Sequence, residues 1–335
     1  MARLLSIQYL RAFAALGVVA FHAQGLSYGR ALVIGSAGVD IFFVVSGFVM
    51  WTVTAYRPQT PAEFIVNRIV RIVPMYWFVT LSFVTAAMVF PALFPRLVVS
   101  ATHILASLFF VPMRSPSNGE IWPVLVPGWT LNCEMLFYAI FALALFLEEA
   151  RRLTFLVMTF FVLILVGRLY TGDNSLITFY TNPIMLEFLS GILLGSAFEQ
   201  GRLPQLRWGY LSLAAGLLLL VASAWLEVGP ARVIVWGIPA FLLVAGAVTI
   251  EKNRSIRLVP PLALLGDASY SIYLTHTLTV SAIGKFKAYF NPSAFFIASL
   301  TLSALIGVAA WRLVERPLAE LLRPRPRVRQ PHFAE

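Results

Sequence analysis

IQYLRAFAALGVVAFHAQGL, residues 7–26, is the stretch whose reading decides the fold. Apolar side chains run through it almost without a break for the roughly 20 positions that a helix needs to cross a bilayer. Two ionisable residues interrupt it, Arg11 and His22. Charge and polarity are expensive in hydrocarbon, so both call for a function. They stand 11 residues apart, which at about 100° per residue brings them to nearly one helix face, about 16 Å apart along the axis. A neutral imidazole at that depth can take a proton from a hydroxyl, and this makes His22 the candidate base.

The rest of the chain has the same character. Of its 335 residues 59% are hydrophobic and only 12% charged, which excludes a soluble domain with a polar skin. The net charge of +10 would suit a nucleic-acid binder in a soluble protein. Here the basic residues fall between apolar segments and in the tail Arg323, Arg325, Arg327 and Arg329, which is a topology signal and an attraction to anionic membrane lipid. Cys133 is the single cysteine, so an internal disulfide and a cysteine metal cluster are excluded. No pair of histidines or carboxylates has a metal-binding spacing.

Windows of about 19 residues predict ten spans, near 7–26, 36–55, 74–94, 128–147, 152–170, 180–198, 208–226, 232–250, 269–289 and 294–314. The run 103–111 is too short to cross and reads as a re-entrant or interfacial helix. The arginines support this choice. With it, Arg68, Arg71, Arg151, Arg152, Arg202, Arg207, Arg254 and the tail fall on one side, which the positive-inside tendency makes cytoplasmic along with both termini. The expected organisation is an all-α polytopic membrane protein, with a transmembrane domain over 1–315 and a basic, Pro-rich, loose cytoplasmic tail over 316–335.

Further candidates follow from depth and spacing. Asp40, near the start of the second span, and Glu134, in the fourth, both enter from the side opposite the arginines and reach the same half of the bilayer as His22. Either carboxylate could accept the second ring N–H and so set the histidine tautomer. The plain alternative for Asp40 is a helix cap. Arg68 and Arg71, three apart on an amphipathic stretch ending at Pro74, share a face suited to gripping phosphates, or to anchoring at the membrane surface. In the ninth span Asp267 reads as an N-cap. Ser269, Tyr273 and His276 share a face there, with His276 shallower than His22 and placed to line a ligand's route. The same buried charges would also fit a transporter for a lipid-linked sugar or other anion.

These pieces together resemble the membrane-bound acyltransferase-3 family, and in particular its branch that acetylates bacterial exopolysaccharides. The resemblance lies in Ile7-Gln8-Tyr9-Leu10-Arg11 through His22, residues 38–48 (GVDIFFVVSGF), 68–74 (RIVRIVP), Gly128-Trp129-Thr130-Leu131 with Glu134, Ser269-Tyr270-Ser271-Ile272-Tyr273-Leu274 with His276, and Glu315-Arg316-Pro317. It implies a ten-helix core and no tightly bound cofactor. Acetyl-CoA, or another acyl-CoA, would be the cytoplasmic donor substrate, and the acceptor a carbohydrate hydroxyl, on a lipid-linked or surface sugar. It implies residence in a bacterial inner membrane, and it makes Arg11 and His22 essential.

Overall fold

The computed structural model describes residues 4–24 and 29–322. Fourteen α-helices account for most of them: α1 (Leu5–Ala23), α2 (Gly38–Tyr56), α3 (Pro61–Val89), α4 (Ala101–Leu108), α5 (Trp129–Ala144), α6 (Glu149–Leu169), α7 (Ser175–Tyr180), α8 (Met185–Glu199), α9 (Leu206–Ala222), α10 (Ile238–Asn253), α11 (Pro260–Asp267), α12 (Ser269–Gly284), α13 (Pro292–Ala310) and α14 (Arg316–Leu322). Among the described residues nine stretches are long and apolar enough to span a membrane, and they coincide with nine of the ten expected. The tenth, expected at 269–289, is the 16-residue α12. At 1.5 Å per residue it rises about 24 Å, less than the roughly 30 Å of hydrocarbon. It can be short because it lies inside the bundle against α1, α3 and α13, with Ile272, Leu274 and His276 fully buried. The eight-residue α4 is the short non-crossing helix.

Lipid-facing and protein-facing surfaces separate as a bilayer requires. Phe161, Leu165 and Leu169 on α6 and Leu218 on α9 are exposed, and such a surface is stable against acyl chains rather than water. Inside, Phe43, Phe137 and Phe188 stack with centroids 4.5 Å apart in each adjoining pair. Since lipid tails are as apolar as these rings, close packing rather than the hydrophobic effect holds the helices together. The closest approach is between α2 and α8. A Cβ on Gly47 would collide with the Phe188 carbonyl, and one on Gly191 with the Val44 carbonyl.

Several polar side chains serve to hold helix ends. The start of α1 is capped from α10, where Glu251 accepts from Leu5 N and Ser6 N, both at 2.8 Å. A carboxylate is well placed there, beside the unpaired N–H groups at the positive end of the helix dipole. Thr60 and Glu63 form a capping box at the start of α3. That helix runs on through Pro74 instead of breaking there as the sequence suggests; a membrane helix tolerates an interior proline where neighbouring helices support the strained turn.

The tail differs from expectation as far as Leu322. The chain stays helical past Glu315, because Glu315 is tied to the bundle by Arg71 Nη1 at 2.8 Å and by the Ser271 hydroxyl at 2.6 Å. Arg316 then pairs with Glu320 one turn on. Arg323, Arg325, Arg327, Arg329 and His332 lie outside the described residues. The Arg71–Glu315 contact also places the end of α13 on the face of the bundle where α3 begins.

The α2–α8 crossing yields a direct check. Gly191→Ala should lower stability in detergent by about 1–3 kcal/mol through overpacking, read as a shift in thermal unfolding, whereas Gly284→Ala, where a Cβ meets nothing within 4 Å, should leave the transition nearly in place.

Candidate functional site

A cavity of about 160 Å³ opens between α1, α2, α3, α5 and α12. Its charged lining comes from three helices. Arg11 reaches it from the second turn of α1, Arg68 and Arg71 from one face of α3, and Glu134 from α5. Apolar walls are supplied by Val39, Phe42 and Phe43, and hydroxyls by Ser46, Tyr138, Ser269, Tyr270 and Tyr273. Two of the three guanidinia have fixed supports. Arg71 is held by Glu315, and the Arg68 guanidinium lies 5.8 Å from the Phe64 ring. Among the described residues no carboxylate stands within ion-pair distance of Arg11. The Ser269 hydroxyl is buried and, among the described residues, has no hydrogen-bond partner. A site with convergent arginines and an unpaired hydroxyl is equipped for an anionic ligand.

At its inner end the cavity meets Tyr273, whose hydroxyl donates to the Pro127 carbonyl at 3.2 Å. The Tyr273 ring lies 5.7 Å from that of His276, and the His276 ring 4.8 Å from that of His22. The two imidazoles are in hydrogen-bond contact, His276 Nε2 to His22 Nδ1 at 3.2 Å. His276 is fully buried, whereas His22, in the last turn of α1, is exposed. The arginines line the cavity, the histidine pair lies outside its lining, and Tyr273 belongs to the lining while its ring neighbours His276.

This arrangement corrects two expectations about His22. Among the described residues no carboxylate bonds to it; its partners are His276 and the Val18 carbonyl. Asp40 is fully buried and forms a two-point ion pair with Arg232, Nε to Oδ1 at 3.1 Å and Nη2 to Oδ2 at 2.8 Å. The reason is rotational. Gly38 packs directly on the Ala14 backbone of α1, and Asp40, two residues and about 200° further round α2, is turned away from it. Glu134 lines the cavity beside Ser46, Tyr138 and the arginines rather than the histidines, because α5 packs on α3, α6 and α8. His276 is not shallower than His22 and does not line the cavity. Asp267, read as a cap, ends α11 instead, and α12 has no side-chain cap.

Two residues at this level were missed in the sequence reading. Arg232 lies over Trp236 at 4.8 Å and Trp129 at 5.9 Å, and Glu187, 2% exposed, sits beside Asp40. Both are ionisable residues within predicted spans, so the same rule that singled out His22 could have found them.

Fold and site together define an integral membrane protein with a cation-lined cavity and, beside its lining residue Tyr273, a histidine pair. Residues 4–312 match the acyltransferase domain family Acyl_transf_3, and the chain belongs to that family. It is 45% identical to "Exopolysaccharide production protein ExoZ" of Rhizobium meliloti (strain 1021), over 89% of this chain and 93% of that protein. It is 28% identical to "Nodulation protein 10" of Rhizobium leguminosarum bv. viciae, over 93% and 92%. Its identity to "O-acetyltransferase OatA" of Staphylococcus aureus is 24%, over 92% of this chain but 56% of that longer protein. No solved structure matches the chain. The protein is thus a membrane O-acyltransferase, which sets the transporter reading aside.

The Asp40–Arg232 pair predicts a stability effect. Asp40→Ala should cost about 3 kcal/mol, the lower end for breaking a buried pair, since Arg232 remains 24% exposed. The double variant Asp40→Asn, Arg232→Gln should recover part of that loss in thermal unfolding.

Proposed function

We propose that the protein transfers an acyl group, acetyl in the first instance, from acyl-coenzyme A to a hydroxyl of a cell-surface or lipid-linked carbohydrate in the bacterial inner membrane. The observation that carries this reading is the cavity lined by Arg11, Arg68, Arg71 and Tyr273, with the Tyr273 ring beside His276, which in turn contacts His22. The names of the relatives, one in exopolysaccharide production and one an O-acetyltransferase, support the carbohydrate acceptor and the acetyl group.

The phosphates of the donor are bound by the guanidinia, which match phosphate oxygens two at a time. Glu315 keeps Arg71 in one orientation, so little side-chain freedom is lost on binding. From Arg11 to His22 the distance along α1 is about 16 Å, a span for the extended pantetheine arm to cover past Phe42 and Tyr273. The arginine end takes the cytoplasmic donor, in line with the positive-inside tendency, and the acceptor approaches the exposed His22 from the other end.

His22 takes the proton of the acceptor hydroxyl as its oxygen attacks the thioester carbonyl. The tetrahedral intermediate then collapses, the C–S bond breaks, and the leaving thiolate receives the proton from the imidazolium. One ester and one free thiol result, and the histidine returns to its neutral form. Asp40 takes no part in this step; its charge is neutralised by Arg232.

Two variants test the reading in purified, reconstituted protein with labelled acetyl-CoA and a polysaccharide acceptor. His22→Ala should abolish transfer while leaving donor binding intact, and wild-type turnover in that variant would refute the base assignment. Arg68→Ala with Arg71→Ala should raise the KM for acetyl-CoA roughly tenfold or more, the scale of lost charge-assisted hydrogen bonds.

A further inference from the structure

The four polar atoms along the histidine pair admit a single consistent assignment of protons. His276 Nδ1 lies 2.5 Å from the Tyr273 carbonyl oxygen, and a carbonyl can only accept, so this nitrogen carries a proton. His22 Nδ1 lies 3.0 Å from the Val18 carbonyl oxygen, and by the same argument it carries one too. The two rings then meet at 3.2 Å, His276 Nε2 against His22 Nδ1. Two N–H groups pointed at each other across that distance would repel. His276 Nε2 is therefore the bare nitrogen of a neutral ring, and His22 Nδ1–H is shared between it and the Val18 carbonyl. What remains on His22 is Nε2 with its lone pair, on an exposed residue, and among the described residues no protein group bonds to it.

We propose that His276 is the positioning residue of the reaction. It holds His22 in the Nδ1–H tautomer, so that Nε2 faces the acceptor as the base, and this rests on the reading of His22 as that base. In Ser-His-Asp sites a carboxylate does this work; here a neutral imidazole does it, anchored in turn by a main-chain carbonyl. The substitution suits the location. A carboxylate at this depth would bring its own desolvation cost and a second charge, while a fully buried imidazole satisfies both its nitrogens locally. When His22 takes the acceptor's proton, its Nδ1–H bond to His276 becomes charge-assisted and strengthens, so the pair stabilises the imidazolium without becoming negative itself.

The chain of contacts also links the two ends of the site. Tyr273 lines the cavity with its side chain and holds His276 with its carbonyl.

Conservative replacements separate the two nitrogens of His276. Glutamine places an acceptor oxygen near the Nε2 position, and asparagine places its amide near Nδ1, so only His276→Gln preserves the bond to His22. In reconstituted protein, His276→Gln should keep kcat within about tenfold of the parent. His276→Asn and His276→Ala should lose roughly 10²-fold or more, the scale of a correctly placed base. The KM for acetyl-CoA should stay within about twofold in all three, because His276 does not line the cavity. Equal kcat in the Gln and Asn variants would overturn the proposal, as would a loss that appears in KM alone. Full activity of His22→Ala would instead overturn the base assignment beneath it, which keeps the two failures apart.

A second measurement needs no substitution at the buried position. Ring-nitrogen NMR of the 15N-histidine-labelled parent, with His22 signals assigned by their absence in His22→Gln, should show Nδ1 protonated and Nε2 bare. A dominant Nε2–H form of His22 would overturn the assignment.

Discussion

An imidazole in or near hydrocarbon has two nitrogens to satisfy and almost no water with which to do it. His22 meets this need at one nitrogen, Nδ1, with a carbonyl of its own helix and a ring from α12, and that contact joins α1 to α12. Leaving a buried polar group unpaired costs about 1–3 kcal/mol, so the histidine contact also fixes the register of the two helices. At the other end Gly266 of α11, the helix that leads into α12, is seated on the Gln8 backbone of α1. Between these two points Arg11 and Ser269 face the cavity, and His22 and His276 face each other.

The site is consequently extended rather than compact. Its cations lie where α1 and α12 begin and α13 ends, with Arg71 held by Glu315, which also accepts from Ser271. Its imidazoles lie where α1 ends. The reaction proposed above uses this separation: the donor's phosphates would stay at the arginines, and only its neutral arm would pass the apolar walls of Phe42, Phe43 and Tyr273.

Other intramembrane charges stabilise the scaffold around this passage. Asp40 and Arg232 join α2 to the turn before α10, with Glu187 of α8 alongside, and Glu251 holds the start of α1. Each of these ties a catalytic helix to one that carries none of the proposed chemistry. In a membrane, where apolar contacts between helices have little advantage over contacts with lipid, such polar links and the close α2–α8 approach at Gly47 and Gly191 give the bundle one arrangement instead of many.

The sequence alone determined that the chain is a helical membrane protein, and it brought out residues that the structure gathers at the cavity and the histidine pair. Arg11, His22, Arg68, Arg71, Glu134, Tyr273 and His276 were all legible, because a polar side chain in a long apolar run is costly wherever it falls. Hydropathy has a one-dimensional period and reports depth, so it placed Asp40 and Glu134 at the level of His22. It could not tell which way each helix was turned. A rotation of about 200° between Gly38 and Asp40 sends the carboxylate to Arg232, and the packing of α5 on α3 sends Glu134 to the arginines. Tertiary structure alone decided which partner His22 received, since two side chains 254 residues apart meet only once both helices have been rotated and set in register.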